Sequence, residues 1–219
     1  QASFIQCLRI MKKNRKMLNR CLTEAIFANK VLLVEGPSEL ILFEKVLSVV
    51  NPFYESEGVY ILSVEGLGFE RYASIFDALN IDNIIKTDND LRIVKSTGKY
   101  SLLGFSRCNG IIGSAELPTD TIDGNSISGK REVDADNKDK LDELRVEYKI
   151  FLSKVDLEND LDEFLHTELV AYLGVENPVA YLQNAKHFHM VELVDRISDA
   201  DCRRIFEHYN FACLQEVVK

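Results

Sequence analysis

The sequence predicts an α/β fold: a parallel, Rossmann-like sheet flanked by helices, with a helical or irregular insertion and a C-terminal helical segment. Short continuous apolar runs alternate with stretches of helical periodicity, which is the pattern of βαβ units. The apolar runs lack an in–out alternation, so they suit strands covered on both faces. The pattern fades after about residue 93 and returns near residue 148, which marks an insertion within one sheet.

In chain order, Phe4, Leu8, Met11, Leu18 and Leu22 recur at three- and four-residue spacing, with Arg15 filling the gap, and predict an amphipathic helix over 3–28. Arg9, Lys12, Lys13, Arg15, Lys16 and Arg20 make its other face basic, as a solvated face, a nucleic-acid contact or the seat of a neighbouring domain. Lys30–Val34 is the first buried strand, followed by Glu35-Gly-Pro-Ser-Glu39 and a helix ending near Asn51-Pro52. Val59–Val64 is the second strand and 69–79 the next helix. Asn83–Thr87 is the third strand, closed by Asp88-Asn89-Asp90.

Residues 93–146 are rich in Gly, Ser, Asn, Asp and charge, and predict a long loop with one charged helix near 138–147. Tyr148–Ser153 is a fourth strand, and a helix follows from the Val155–Asp160 segment to about Leu173. Pro178 opens another helix, and Ser198 caps a last one. The predicted organisation is a linker helix at 1–28, a core at 29–92, an insertion at 93–146, and a second core part with C-terminal helices at 147–219.

With 219 residues the chain is long enough for one large domain or two small ones. An apolar share of 46% and a charged share of 28% exclude general disorder and fibrous classes. No apolar run reaches the about 18 residues of a membrane span. The net charge of −9 argues against unaided, sequence-independent DNA binding, which relies on basic excess. The five cysteines are widely spaced without a C-x-x-C pair, so a reducing cytoplasm is expected. The chain starts at Gln1 and shows no signal peptide, which predicts a piece of a longer protein.

The chemistry lies in where the acids fall. Ligands of open α/β sheets bind beyond the carboxyl ends of the strands. Glu35 follows the first strand, Asp88 and Asp90 the third, Asp156 and Glu158 the fourth, and Glu39 sits in the first turn of the helix after Glu35. Each alone also reads as a turn or helix-start acid. Together they would repel unless cations compensate, and Mg²⁺ or Mn²⁺ suits an all-oxygen set. Two ions in such a cluster would support phosphodiester hydrolysis, and they would offset part of the acidic excess. A transferase using the D-x-D pair to hold a nucleotide diphosphate, and a non-catalytic assembly module, are the competing readings.

Other signals are weaker. Gly124–Lys130 matches the spacing of a phosphate loop, but Arg131 stands where Ser or Thr is needed, and no strand or helix is expected around it. His187 and His189 lack further zinc ligands, His166 and His208 read as surface or packing residues, and Tyr72 and Tyr100 as packing.

The stretches Val31–Leu47, Ile84–Arg92, Ile150–Leu161 and Tyr181–Val218 resemble the Toprim domain of the OLD-family nucleases, in particular those of Gabija anti-phage defence. The resemblance implies catalytic roles for Glu35, Asp88, Asp156 and Lys186. It implies two Mg²⁺ or Mn²⁺ ions held by Glu35, Asp88, Asp90, Asp156 and Glu158, with Glu39 as a further ligand. It also implies DNA as substrate, an N-terminal ATPase domain outside this chain, a helicase-like partner subunit, a homo-oligomer when full length, and no membrane association.

Overall fold

The computed structural model describes residues 20–65 and 68–219. The basic face at 9–19 lies outside them, and the linker helix is described only as α1 (Arg20–Ala25).

β1 (Lys30–Val34) is a central strand because its side chains are apolar on both faces: Val31 and Leu33 enter one core, Leu32 and Val34 the other. It pairs in parallel with β2 (Val59–Ser63) and with β3 (Asp82–Thr87), and β3 pairs with β7 (Ile150–Leu152). The order β2-β1-β3-β7 makes a four-stranded parallel sheet. One face is covered by α2 (Pro37–Val50), α7 (Leu157–Leu173) and the C-terminal helices α8 (Pro178–Asn184), α9 (Lys186–Arg196), α10 (Asp199–Glu207) and α11 (Ala212–Val218). The other face is covered by α1, α3 (Phe69–Leu79), α4 (Leu103–Ile112) and α6 (Lys138–Glu147). No helix among the described residues is long and apolar enough to cross a membrane.

Three local expectations are corrected. The fourth strand starts at Ile150, not Tyr148, because Tyr148 ends α6 and Lys149 turns the chain with φ +54°. Ser198 caps α10 by accepting from Asp201 N–H, but a 3₁₀ turn (Tyr209–Phe211) then leads into α11, which seals the sheet with Cys213, Leu214 and Val217. The segment 93–146 has the charged helix expected near 138–147, as α6, but is not otherwise a long loop. β4 (Leu91–Ile93), β5 (Tyr100–Leu102) and β6 (Thr121–Ile122) form a small antiparallel sheet, and α5 (Ile127–Asp136) joins α4 and α6. Phe105, Cys108, Leu141 and Leu144 anchor α4 and α6 in the core.

Candidate active site

β1 and β3 are neighbours, so Glu35 and Asp88, each the first residue beyond its strand, leave the sheet side by side. Glu35 Oε2 accepts from the Asp88 backbone N–H at 3.2 Å and from the Thr87 hydroxyl at 3.3 Å. Ser153, just beyond β7, donates from Oγ to Asp88 Oδ1 at 3.3 Å. Asn89 pins the turn between the two aspartates: its N–H donates to the Val155 carbonyl and its Nδ2 to the Lys154 carbonyl, each at 3.1 Å. Asp90 is thereby carried to the opposite side of the turn, towards α4.

Two helix starts supply the remaining acids. Pro37 opens α2 with its fixed φ, placing Glu39 in the first turn, where it is buried. Asp156 caps α7, its Oδ1 accepting from Asn159 N–H at 2.8 Å and its Oδ2 from Gln183 Nε2 at 3.0 Å. Glu158, in the first turn of α7, is also buried.

Burial, with repulsion from Glu35 and Glu158, pushes the Glu39 carboxyl up to about 7. Burial, with repulsion from Glu39 and Glu35 and a smaller push from Asp156, holds the Asp88 carboxyl well above the usual carboxylate range. Glu35, Glu39, Asp88, Asp156 and Glu158 thus share one electrostatic environment. Asp90 is tied to Glu35 through an intermediary.

That intermediary, Arg107 of α4, is not anticipated from the sequence. Its Nη1 lies 2.9 Å from Glu35 Oε2 and its Nη2 2.7 Å from Asp90 Oδ2. Nη1 also donates to Thr87 Oγ1 and to the Asp88 carbonyl. Lys86 is equally unanticipated, although a lysine inside the buried run Ile84–Thr87 is itself a signal that a partner is needed. Its Nζ donates to Ser153 Oγ at 2.7 Å, to Asp160 Oδ2 at 3.3 Å and to the Asn210 carbonyl at 3.2 Å. Its charge partly relieves Asp88 and Glu39.

Among the described residues, no three His, Cys, Asp or Glu side chains form a ready metal-binding arrangement. Several of the acids' oxygens are already engaged: Arg107 donates to Glu35 and Asp90, while Asn159 and Gln183 donate to Asp156. In donor chemistry the cluster nevertheless fits a hard divalent cation, because it is all oxygen and carries carboxylates that burial and mutual repulsion hold against ionisation.

Lys186 is the first residue of α9, and its side chain lies outside what the structure describes. The His189 ring stacks on Tyr181 and its Nδ1 contacts the Tyr181 carbonyl at 2.6 Å. His166 meets Asp162 and His208 stacks on Phe164. Tyr72 is buried in the core beside the sheet. The phosphate-loop match does contain a helix, contrary to expectation, since α5 starts at Ile127. Gly129 N–H is committed to the Ser126 Oγ cap rather than aimed at a ligand.

A parallel sheet with acids at three strand ends and a D-x-D turn between two of them is the arrangement of a Toprim-type domain. Residues 26–90 match the family model described as "Overcoming lysogenization defect protein-like, TOPRIM domain". These residues are thus similar to an OLD-like Toprim domain. The chain is 45% identical over 216 residues to Endonuclease GajA of Bacillus cereus (strain VD045), across 93% of this chain and 37% of that protein, so it spans well under half of that relative's length. Its fold resembles the C-terminal region of the Xanthomonas campestris pv. campestris OLD protein, with a TM-score of 0.51 at 20% identity over 88% of this chain and 97% of that one.

Proposed function

We propose that this chain is the catalytic domain of a divalent-metal-dependent endonuclease that hydrolyses DNA phosphodiesters. The observation that carries the reading is the meeting of Glu35 with the Asp88 turn at the ends of β1 and β3, beside the buried Glu39, where burial and repulsion among the acids favour added positive charge. The 45% identity to a protein named an endonuclease supports it.

Glu35, Glu39, Asp88, Asp90, Asp156 and Glu158 would hold two Mg²⁺ or Mn²⁺ ions, which supply a nucleophile at neutral pH and neutralise charge on the phosphate. The chain's own residues supply the rest. Ser153 and the Asp88 backbone N–H fix the orientations of the Asp88 and Glu35 carboxylates, so little reorganisation is needed during the reaction. Lys186, at the amino end of α9, offsets the charge that builds on the phosphate in the transition state. In the longer protein we expect regulation by an N-terminal ATPase domain, a homo-oligomeric assembly, a helicase-like partner (GajB) and a cytoplasmic role in anti-phage defence.

A supercoiled-plasmid assay tests the reading. Nicking is expected with Mg²⁺ or Mn²⁺, none with EDTA, and none for Glu35→Ala or Lys186→Ala. Undiminished cleavage by Glu35→Ala removes the site from the chemistry.

A further inference from the structure

Arg107 reaches the carboxylates from the insertion, not from the sheet, and its approach is built in. Gly104, in the first turn of α4, lies against the D-x-D turn, where a Cβ would meet the Asp88 carbonyl at 2.8 Å, Asn89 Cα at 2.9 Å and Asp90 N at 3.2 Å. Gly104 N–H also donates to the Asp90 carbonyl at 3.0 Å. Three residues on, along the same helix face, Arg107 is therefore aimed at the acids this turn presents.

A guanidinium is a planar fork that serves two carboxylates at once, and here its two ends hold the acids of two different strands. It supplies one positive charge where the surrounding carboxylates call for more. A divalent ion on Glu35 and Asp90 would compete with Arg107, which already engages one oxygen of each carboxylate. Beside Arg107 lies a cleft of about 350 Å³, lined also by Glu35, Glu70, Arg71 and Ile111.

We propose that Arg107 is the resident cation of this cluster, bridging Glu35 and Asp90 while no divalent ion is bound and turning from them towards Glu70 of the adjoining cleft when one binds. The inference rests on the metal-dependent reading above. It makes Arg107 a positioning residue: it keeps the acids in register without metal, and its ion pairs must be broken when metal enters, which lowers metal affinity.

Calorimetric titration of the 219-residue chain with Mn²⁺, in wild type, Arg107→Met and Arg107→Lys, tests it. Arg107→Met is expected to bind Mn²⁺ roughly fivefold more tightly, the factor that corresponds to ion pairs of this exposure, with Arg107→Lys between it and wild type. Thermal melting gives an independent readout that survives a weakly folded variant. Arg107→Met is expected to melt below wild type in EDTA and to recover most of the deficit with Mn²⁺. Equal or weaker Mn²⁺ binding by Arg107→Met, or a melting deficit that Mn²⁺ leaves unchanged, overturns the proposal while leaving the metal reading intact. Absence of Mn²⁺ binding in wild type overturns the metal reading itself.

Discussion

Lys86 and Asp160 are paired inside the protein, Nζ to Oδ2 at 3.3 Å, with the two side chains 2% and 1% exposed. Burial lifts the Asp160 carboxyl above its ordinary range even against the pull of Lys86. The pair joins β3, α7 and the Asn210 turn beneath the acid cluster. Lys86→Met would strand Asp160, and a loss of about 3–5 kcal/mol in urea unfolding is expected, most of it recovered by the double variant Lys86→Met/Asp160→Leu. A neutral single variant contradicts the pairing.

Ser153 links this interior to the site, accepting from Lys86 and donating to Asp88. Ser153→Ala frees the Asp88 carboxylate to rotate while removing only one hydroxyl. Mn²⁺ affinity is expected to fall about tenfold, with the fold kept by circular dichroism. Unchanged affinity would show that Asp88 needs no such support.

Glu39 gives the metal-free chain a pH signature. Its carboxyl is raised to about 7, so the folded state holds a proton that the unfolded state releases above its ordinary value of 4.5. Stability is therefore greatest below the lower value and declines as pH rises through the window up to about 7. At about pH 8 the ionised, buried group costs roughly 3 kcal/mol. Urea unfolding in EDTA is expected to lose stability between about pH 5 and about pH 8, with a shallower loss in Glu39→Gln. The same slope in both proteins rejects a proton on Glu39.

The sheet and most of the acids are legible in the sequence for a physical reason. Central parallel strands must be apolar on both faces, as in Val31–Val34, and a strand-end site must place its polar groups where such runs stop. Apart from the helix expected at 138–147, the structure inside the insertion is not legible, because its strands, such as Thr121–Ile122, are too short to show a period. In α5 no residue is buried, so no apolar stripe marks it. Arg107 is invisible for another reason: its partners Glu35 and Asp90 are 72 and 17 residues away, and only the docking of α4 joins them.

That docking depends on Gly104, because the atoms a side chain would meet are backbone and cannot swing aside. Gly104→Ala is expected to cost about 1–3 kcal/mol by overpacking and to loosen Arg107 from Asp90. Chemical denaturation reads the first effect. For the second, the Mn²⁺ affinity of Gly104→Ala is expected to shift in the same direction as that of Arg107→Met. Wild-type stability in Gly104→Ala would mean that α4 is not pressed against the turn.

Anomalous diffraction from crystals equilibrated with Mn²⁺ tests the central claim most directly. Two metal peaks are expected among Glu35, Glu39, Asp88, Asp90, Asp156 and Glu158. Crystals with Mn²⁺ elsewhere, or with no peak among these carboxylates, would contradict the account.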